Sequence, residues 1–152
     1  MVENEIDKKC FHKLKIATIF CFVIKIIQMI YSVLIIFFLF RVDSRKYSEN
    51  MQRLGATVNI GQLKVWEIIY LVLFIVVAVL IFLAIKEIIK GKLPSKWSYY
   101  LYILGHIAQV LFMLLEQNFA LIEILWNFIL AIPAILAVYY LFEMKGEEDL
   151  VD

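Results

Sequence analysis

The sequence predicts an all-α, polytopic membrane protein: four transmembrane helices in one bundle, with a short amphipathic surface helix in the first loop. Three observations carry this reading. The stretch from Ile68 to Ile85, IIYLVLFIVVAVLIFLAI, holds no charged side chain, and Glu67 and Lys86 bracket it. About 20 such residues, rising 1.5 Å each, cross the roughly 30 Å hydrocarbon core of a bilayer. Similar apolar runs stand before and after it, separated by short polar segments. The composition agrees: 64% of residues are hydrophobic, 19% are charged, and the mean hydropathy is +0.87, whereas soluble domains hold about 45–50% apolar and about 25% charged residues.

The first span covers residues 16–40 and follows the basic positions Lys8, Lys9, Lys13 and Lys15. A basic segment before an apolar one has the form of a secretory signal. This run, however, is too long for a signal core and ends in FFLFR rather than in small residues, so an uncleaved span is expected. Lys25 falls inside it, near enough to one end for its long stem to carry the ammonium to the interface. Lys25, Gln28 and Ser32 recur at i, i+3 and i+7 and so share one helical face.

The connection from Arg41 to Lys64 contains DSRKYSENMQRLG, which reads as the surface helix. Asp43 or Ser44 would cap its start and Gly55 would end it. Tyr47, Met51 and Leu54 fall on one side, and Glu49 and Arg53 stand at ion-pair spacing on the other. Asn59 and Gly61 are expected to turn the chain into the second span, 65–89. Lys86 and Lys90 suit the negative end of that helix, Gly91 its C-cap, and Pro94 blocks continuation. Ser95 would cap the third span, 97–115, whose Trp97, Tyr99 and Tyr100 fit an aromatic belt at the membrane surface. The fourth span, 121–142, carries Pro133, a candidate kink that removes the hydrogen bond to the carbonyl of Ile129. Ala131, Ala134 and Ala137 offer small surfaces for close packing. Residues 1–152 form a single membrane domain in this reading.

Lys and Arg set the orientation. With the N-terminus inside, cytoplasmic segments hold Lys8, Lys9, Lys13, Lys15, Lys86, Lys90, Lys92, Lys96 and Lys145. The outer segments hold the smaller set Arg41, Arg45, Lys46, Arg53 and Lys64. The excess predicts a cell-membrane protein with both termini cytoplasmic.

Polar residues inside the spans are the candidate functional groups, because they are costly in lipid unless paired or facing water. Tyr102, His106 and Gln109 follow the same i, i+4, i+7 pattern as the polar face of the first span. Lys25, Gln28, Ser32, Tyr102, His106 and Gln109 therefore make up a candidate intramembrane polar network, with Gln28 or Ser32 as the expected partner of His106. Such a network serves either as interhelical glue or, with His106 titrating, as a ligand or proton path. Glu116, Glu123 and Asn127 mark a candidate outer rim, either boundary carboxylates in water or a cation site.

Enzyme classes fall away one at a time. Cys10 and Cys21 fit neither a vicinal redox pair nor a zinc pattern and are expected to be buried or membrane-facing free thiols. HExxH, GxSxG and the P-loop do not occur in the sequence, and His12 with His106 are too few for a His-rich metal centre. Glu67, Glu116 and Glu123 lie near span ends, away from the depth a proton-coupled exporter requires. The sequence thus points to a small non-enzymatic membrane protein without cofactor or nucleic-acid partner. It would act as an accessory, regulatory or immunity-type component through helix packing with a membrane-protein partner. The alternative is a homo-oligomeric transporter or channel subunit with a polar pathway along spans one and three.

Overall fold

The structure, a computed structural model, describes residues 5–53, 59–115 and 121–148. The described residues form five helices: α1 (Glu5–Arg41), α2 (Ser44–Arg53), α3 (Ile60–Ile89), α4 (Lys96–Leu115) and α5 (Leu121–Glu148). Three stretches, Lys8–Arg41, Ile60–Ile89 and Leu121–Met144, are long and apolar enough to cross a membrane. The chain is accordingly an all-α, multi-pass membrane protein in contact with the lipid bilayer.

The helices run beyond the spans expected from hydropathy, for local reasons. α1 takes in the basic segment because Lys and Leu are good helix formers and no Gly or Pro interrupts it. α3 begins at Ile60 because Asn59 caps it: its Oδ1 accepts from Gln62 N–H at 3.2 Å and its carbonyl from Leu63 N–H at 3.0 Å. A Cβ on Gly61 would come within 3.3 Å of that Oδ1, so the glycine leaves room for the cap. Asn59 and Gly61 therefore open α3 instead of forming a turn ahead of it.

α3 ends as the sequence suggested. Gly91 has φ +71°, Gly91 N–H donates to the Ile88 carbonyl at 2.9 Å, and Lys92 N–H donates to the Glu87 carbonyl at 3.0 Å. These two bonds and the left-handed glycine make a complete Schellman motif. The Glu87 carboxylate then accepts from Ser95 N–H at 3.2 Å, tying the end of α3 to the start of α4. Asp43 caps α2, its Oδ1 accepting from Arg45 N–H at 3.1 Å and its carbonyl from Tyr47 N–H at 3.0 Å. Glu49 pairs with Arg45 at 3.2 Å, the other i,i+4 step from the Arg53 pairing expected. Leu54 and Gly55 lie outside the described residues.

The chain divides into two compact units, Met1–Ile24 with Val77–Asp152, and Lys25–Val76. In the first unit four helices share a core: Leu14, Ala17 and Cys21 from α1, Ile81, Ala84 and Ile88 from α3, Tyr99 and Tyr102 from α4, and Ala134, Ala137 and Leu141 from α5. Each set is spaced by threes and fours, the period that keeps a helix stripe facing its neighbours. Ala131, Ala134 and Ala137 are all buried, and α4 packs directly on α5. Tyr99 does not join an aromatic belt; it is 0% exposed in this core. Trp97 is 71% exposed and meets Tyr100 edge-on at 6.0 Å.

The second unit consists of the later part of α1, α2 and the first part of α3. Lys64 lies over the Phe40 ring at 4.7 Å and Lys25 over the Phe74 ring at 5.0 Å, so α1 and α3 run antiparallel here.

Candidate functional site

In the first unit several polar side chains within the long helices are engaged across helices. His106, 2% exposed, meets Asn127, 7% exposed, with Nδ1 and Oδ1 3.0 Å apart. Asn127 Nδ2 donates to the Glu123 carbonyl at 3.1 Å, which identifies Oδ1 as the acceptor and His106 Nδ1–H as the donor. This bond joins α4 to α5. Asn127 is not one of the partners expected for His106, since the sequence groups it with Glu123 as an outer rim. Asn127 is the rim member that turns inward, whereas the Glu123 side chain is exposed. Glu116 lies outside the described residues.

Tyr102 adds a second α4–α5 link. Its hydroxyl donates to the Leu130 carbonyl at 3.1 Å, three residues before Pro133, and α5 continues as helix through that proline. The Tyr102 ring also leans on the His106 imidazole, with centroids 5.1 Å apart. Gln109 is half-buried and has no hydrogen-bonding partner among the described residues.

A third link was missed at the sequence level. Thr18 Oγ1 donates to the Leu14 carbonyl at 2.7 Å and lies 2.7 Å from Tyr99 Oη. A threonine hydroxyl has one hydrogen, so Tyr99 O–H donates to Thr18 and joins α4 to α1. The signal was available: Thr18 is a polar side chain inside an apolar run, four residues after Leu14.

In the second unit the polar face of α1 meets α3. Lys25 is 2% exposed and its Nζ donates to Gln28 Oε1 at 2.8 Å, beside the Phe74 ring. The ammonium is thus buried in protein and does not reach out along the helix to the interface. Ser32 Oγ donates to Glu67 Oε2 at 3.2 Å. Glu67 belongs with this group although the sequence reading treated it only as a boundary. It stands seven residues before Phe74, as Lys25 stands seven before Ser32, so antiparallel helices bring the two polar stripes into register.

In each of these pairs a donor meets an acceptor on the same or a neighbouring helix, as polar groups in apolar surroundings require, at about 0.6–2 kcal/mol per bond. Both cysteines are buried and are not joined in a disulfide. No group of three or more His, Cys, Asp or Glu side chains that could hold a metal ion occurs among the described residues. A cavity of about 410 Å³ lies between α4 and α5, with Ile103, Val110, Ala131 and Ile135 in its walls beside His106 and Asn127. Its surface is almost wholly apolar. No family model matches the chain, and neither does any curated protein or solved structure.

Proposed function

We propose that this chain is a four-span, non-enzymatic membrane protein that acts as an accessory, regulatory or immunity-type component by packing against a membrane-protein partner. α4 would be the fourth span of the bundle, with both termini cytoplasmic and α2 lying on the outer surface. The supporting observation is how the polar groups of the spans are used. Thr18 with Tyr99, Lys25 with Gln28, Ser32 with Glu67 and His106 with Asn127 hydrogen-bond one another, while the apolar runs expose large hydrophobic side chains such as Ile27, Val72 and Phe128. Such an arrangement favours packing over catalysis or passage of a polar solute.

The α1–α3 stripe of Lys25, Gln28, Ser32 and Glu67 favours the second reading, a transporter or channel subunit completed by oligomerisation. Size measurement in mild detergent from native membranes, together with ion flux in liposomes, separates the two. A single copy in fixed stoichiometry with another membrane protein, and no flux, is expected. A homo-oligomer that conducts, with flux lost in Glu67→Gln, would replace the first reading by the second.

A further inference from the structure

Charge in the first unit is concentrated at one end. Lys8, Lys9, Lys13 and Lys15 lie near the start of α1, Lys86 in the last turn of α3, Lys90 and Lys92 in the connection that follows, and Lys96 begins α4. Among the described side chains the carboxylates at this end are Glu87 and Glu143, and Glu87 already accepts from Ser95. Among the described side chains of this rim lysine thus outnumbers carboxylate.

Two of these lysines, from different helices, converge on the last turns of α5. Lys13 Nζ is 5.6 Å from the centre of the Tyr140 ring, and Lys96 Nζ is 4.4 Å from that of Phe142. A cation over a ring face is held by the ring quadrupole while its stem lies against apolar surface. Neither lysine forms a salt bridge with a described residue. Beside the ammonium groups the same end exposes Phe142, Tyr139, Ile89 and Trp97. Positive charge thus directly borders apolar surface.

We propose that this rim binds the phosphate headgroups of anionic phospholipids, with Lys13 and Lys96 as the principal contacts and the bordering apolar side chains against the acyl chains. A phospholipid is anionic above and apolar below, which complements both parts of the surface. A soluble polyanion such as a nucleic acid or an acidic peptide would match only the lysines.

The test uses the full chain in phosphatidylcholine bilayers carrying trace spin-labelled phosphatidylglycerol or spin-labelled phosphatidylcholine, with the motionally restricted fraction of each measured. The wild-type chain is expected to select phosphatidylglycerol. Lys13→Gln with Lys96→Gln is expected to lower that selectivity about fivefold per lysine at low salt, whereas Lys13→Arg with Lys96→Arg retains it. Raising the salt to about 1 M should weaken wild-type selectivity, since the screening length falls to about 3 Å. Equal restriction of the two lipids by the wild type would overturn the proposal, as would selectivity that survives both high salt and the Gln pair. The wild-type and salt measurements decide the matter even where the Gln pair fails to fold.

Discussion

Replacing His106 by Leu strips Asn127 Oδ1 of its donor in a buried place, and this is expected to cost about 1–2 kcal/mol of stability in detergent. His106→Leu with Asn127→Leu should cost less than the two single changes summed, because the pair is removed together. Strict additivity in unfolding measurements would argue against the bond. Lys25 permits an equally direct check. A side chain that snorkels into the interface accepts Arg freely, but one enclosed beside Gln28 and Phe74 does not. Lys25→Arg is therefore expected to lower stability by about 1–3 kcal/mol through overpacking, and an unchanged midpoint would return Lys25 to the interface. Both residues were recognisable as polar positions within apolar runs. Gln28, three residues after Lys25, lies on the face that spacing defines, but Asn127 was not legible as the partner of His106, since it lies on another helix and nothing in the spacing along one helix selects a neighbour.

Element boundaries follow from a few backbone groups. Gly91 sits at φ +71° with open space around its Cα, so Gly91→Ala meets no neighbour and its effect is purely conformational. A penalty of about 1 kcal/mol is expected from the left-handed conformation alone. Gly105 provides the reverse case: it lies inside α4 with open space around it. Gly105→Ala is expected to stabilise by about 0.5–1 kcal/mol, the helix-interior difference between the two residues. Thermal unfolding of the two variants should move in opposite directions, and a shift of the same sign in both would contradict one assignment. The Gly91 cap and the Asp43 cap were legible because capping depends on residues close in sequence. The Asn59 cap was open to the same logic, with Gln62 three residues on as a capping box has it, but hydropathy alone placed the start of that helix later.

For the whole molecule, the decisive measurement is topology. Cys10 and Cys21 are buried, at 5% and 0% exposure, so single reporter cysteines are best read in a Cys10→Ala, Cys21→Ala background. In intact cells a membrane-impermeant maleimide is expected to label the Ser48→Cys and Leu121→Cys variants. The Lys92→Cys variant should react only after permeabilisation. Lys92 and Leu121 reacting from one side would show that α4 does not cross, and full reversal would invert the orientation.

Membrane location and the apolar segments inside the long helices were legible in the sequence alone, because transfer into hydrocarbon depends on the sum of side chains in a continuous segment. Which face of each helix turns inward was decided by tertiary structure. In α3 the apolar residues surround the helix on all sides, so hydropathy carries no inward direction, and the buried stripe of Phe74, Val77, Ile81, Ala84 and Ile88 is as apolar as the exposed Val72, Val76 and Val79. Small and polar residues are the marks that remain: Thr18, Lys25 and Ser32 on α1, His106 on α4, and Asn127, Ala131, Ala134 and Ala137 on α5 are all buried. Lipid cannot satisfy a hydrogen bond or fill the space beside an alanine as a neighbouring helix can. That preference says which side must meet protein; only the packed helices say which neighbour it meets.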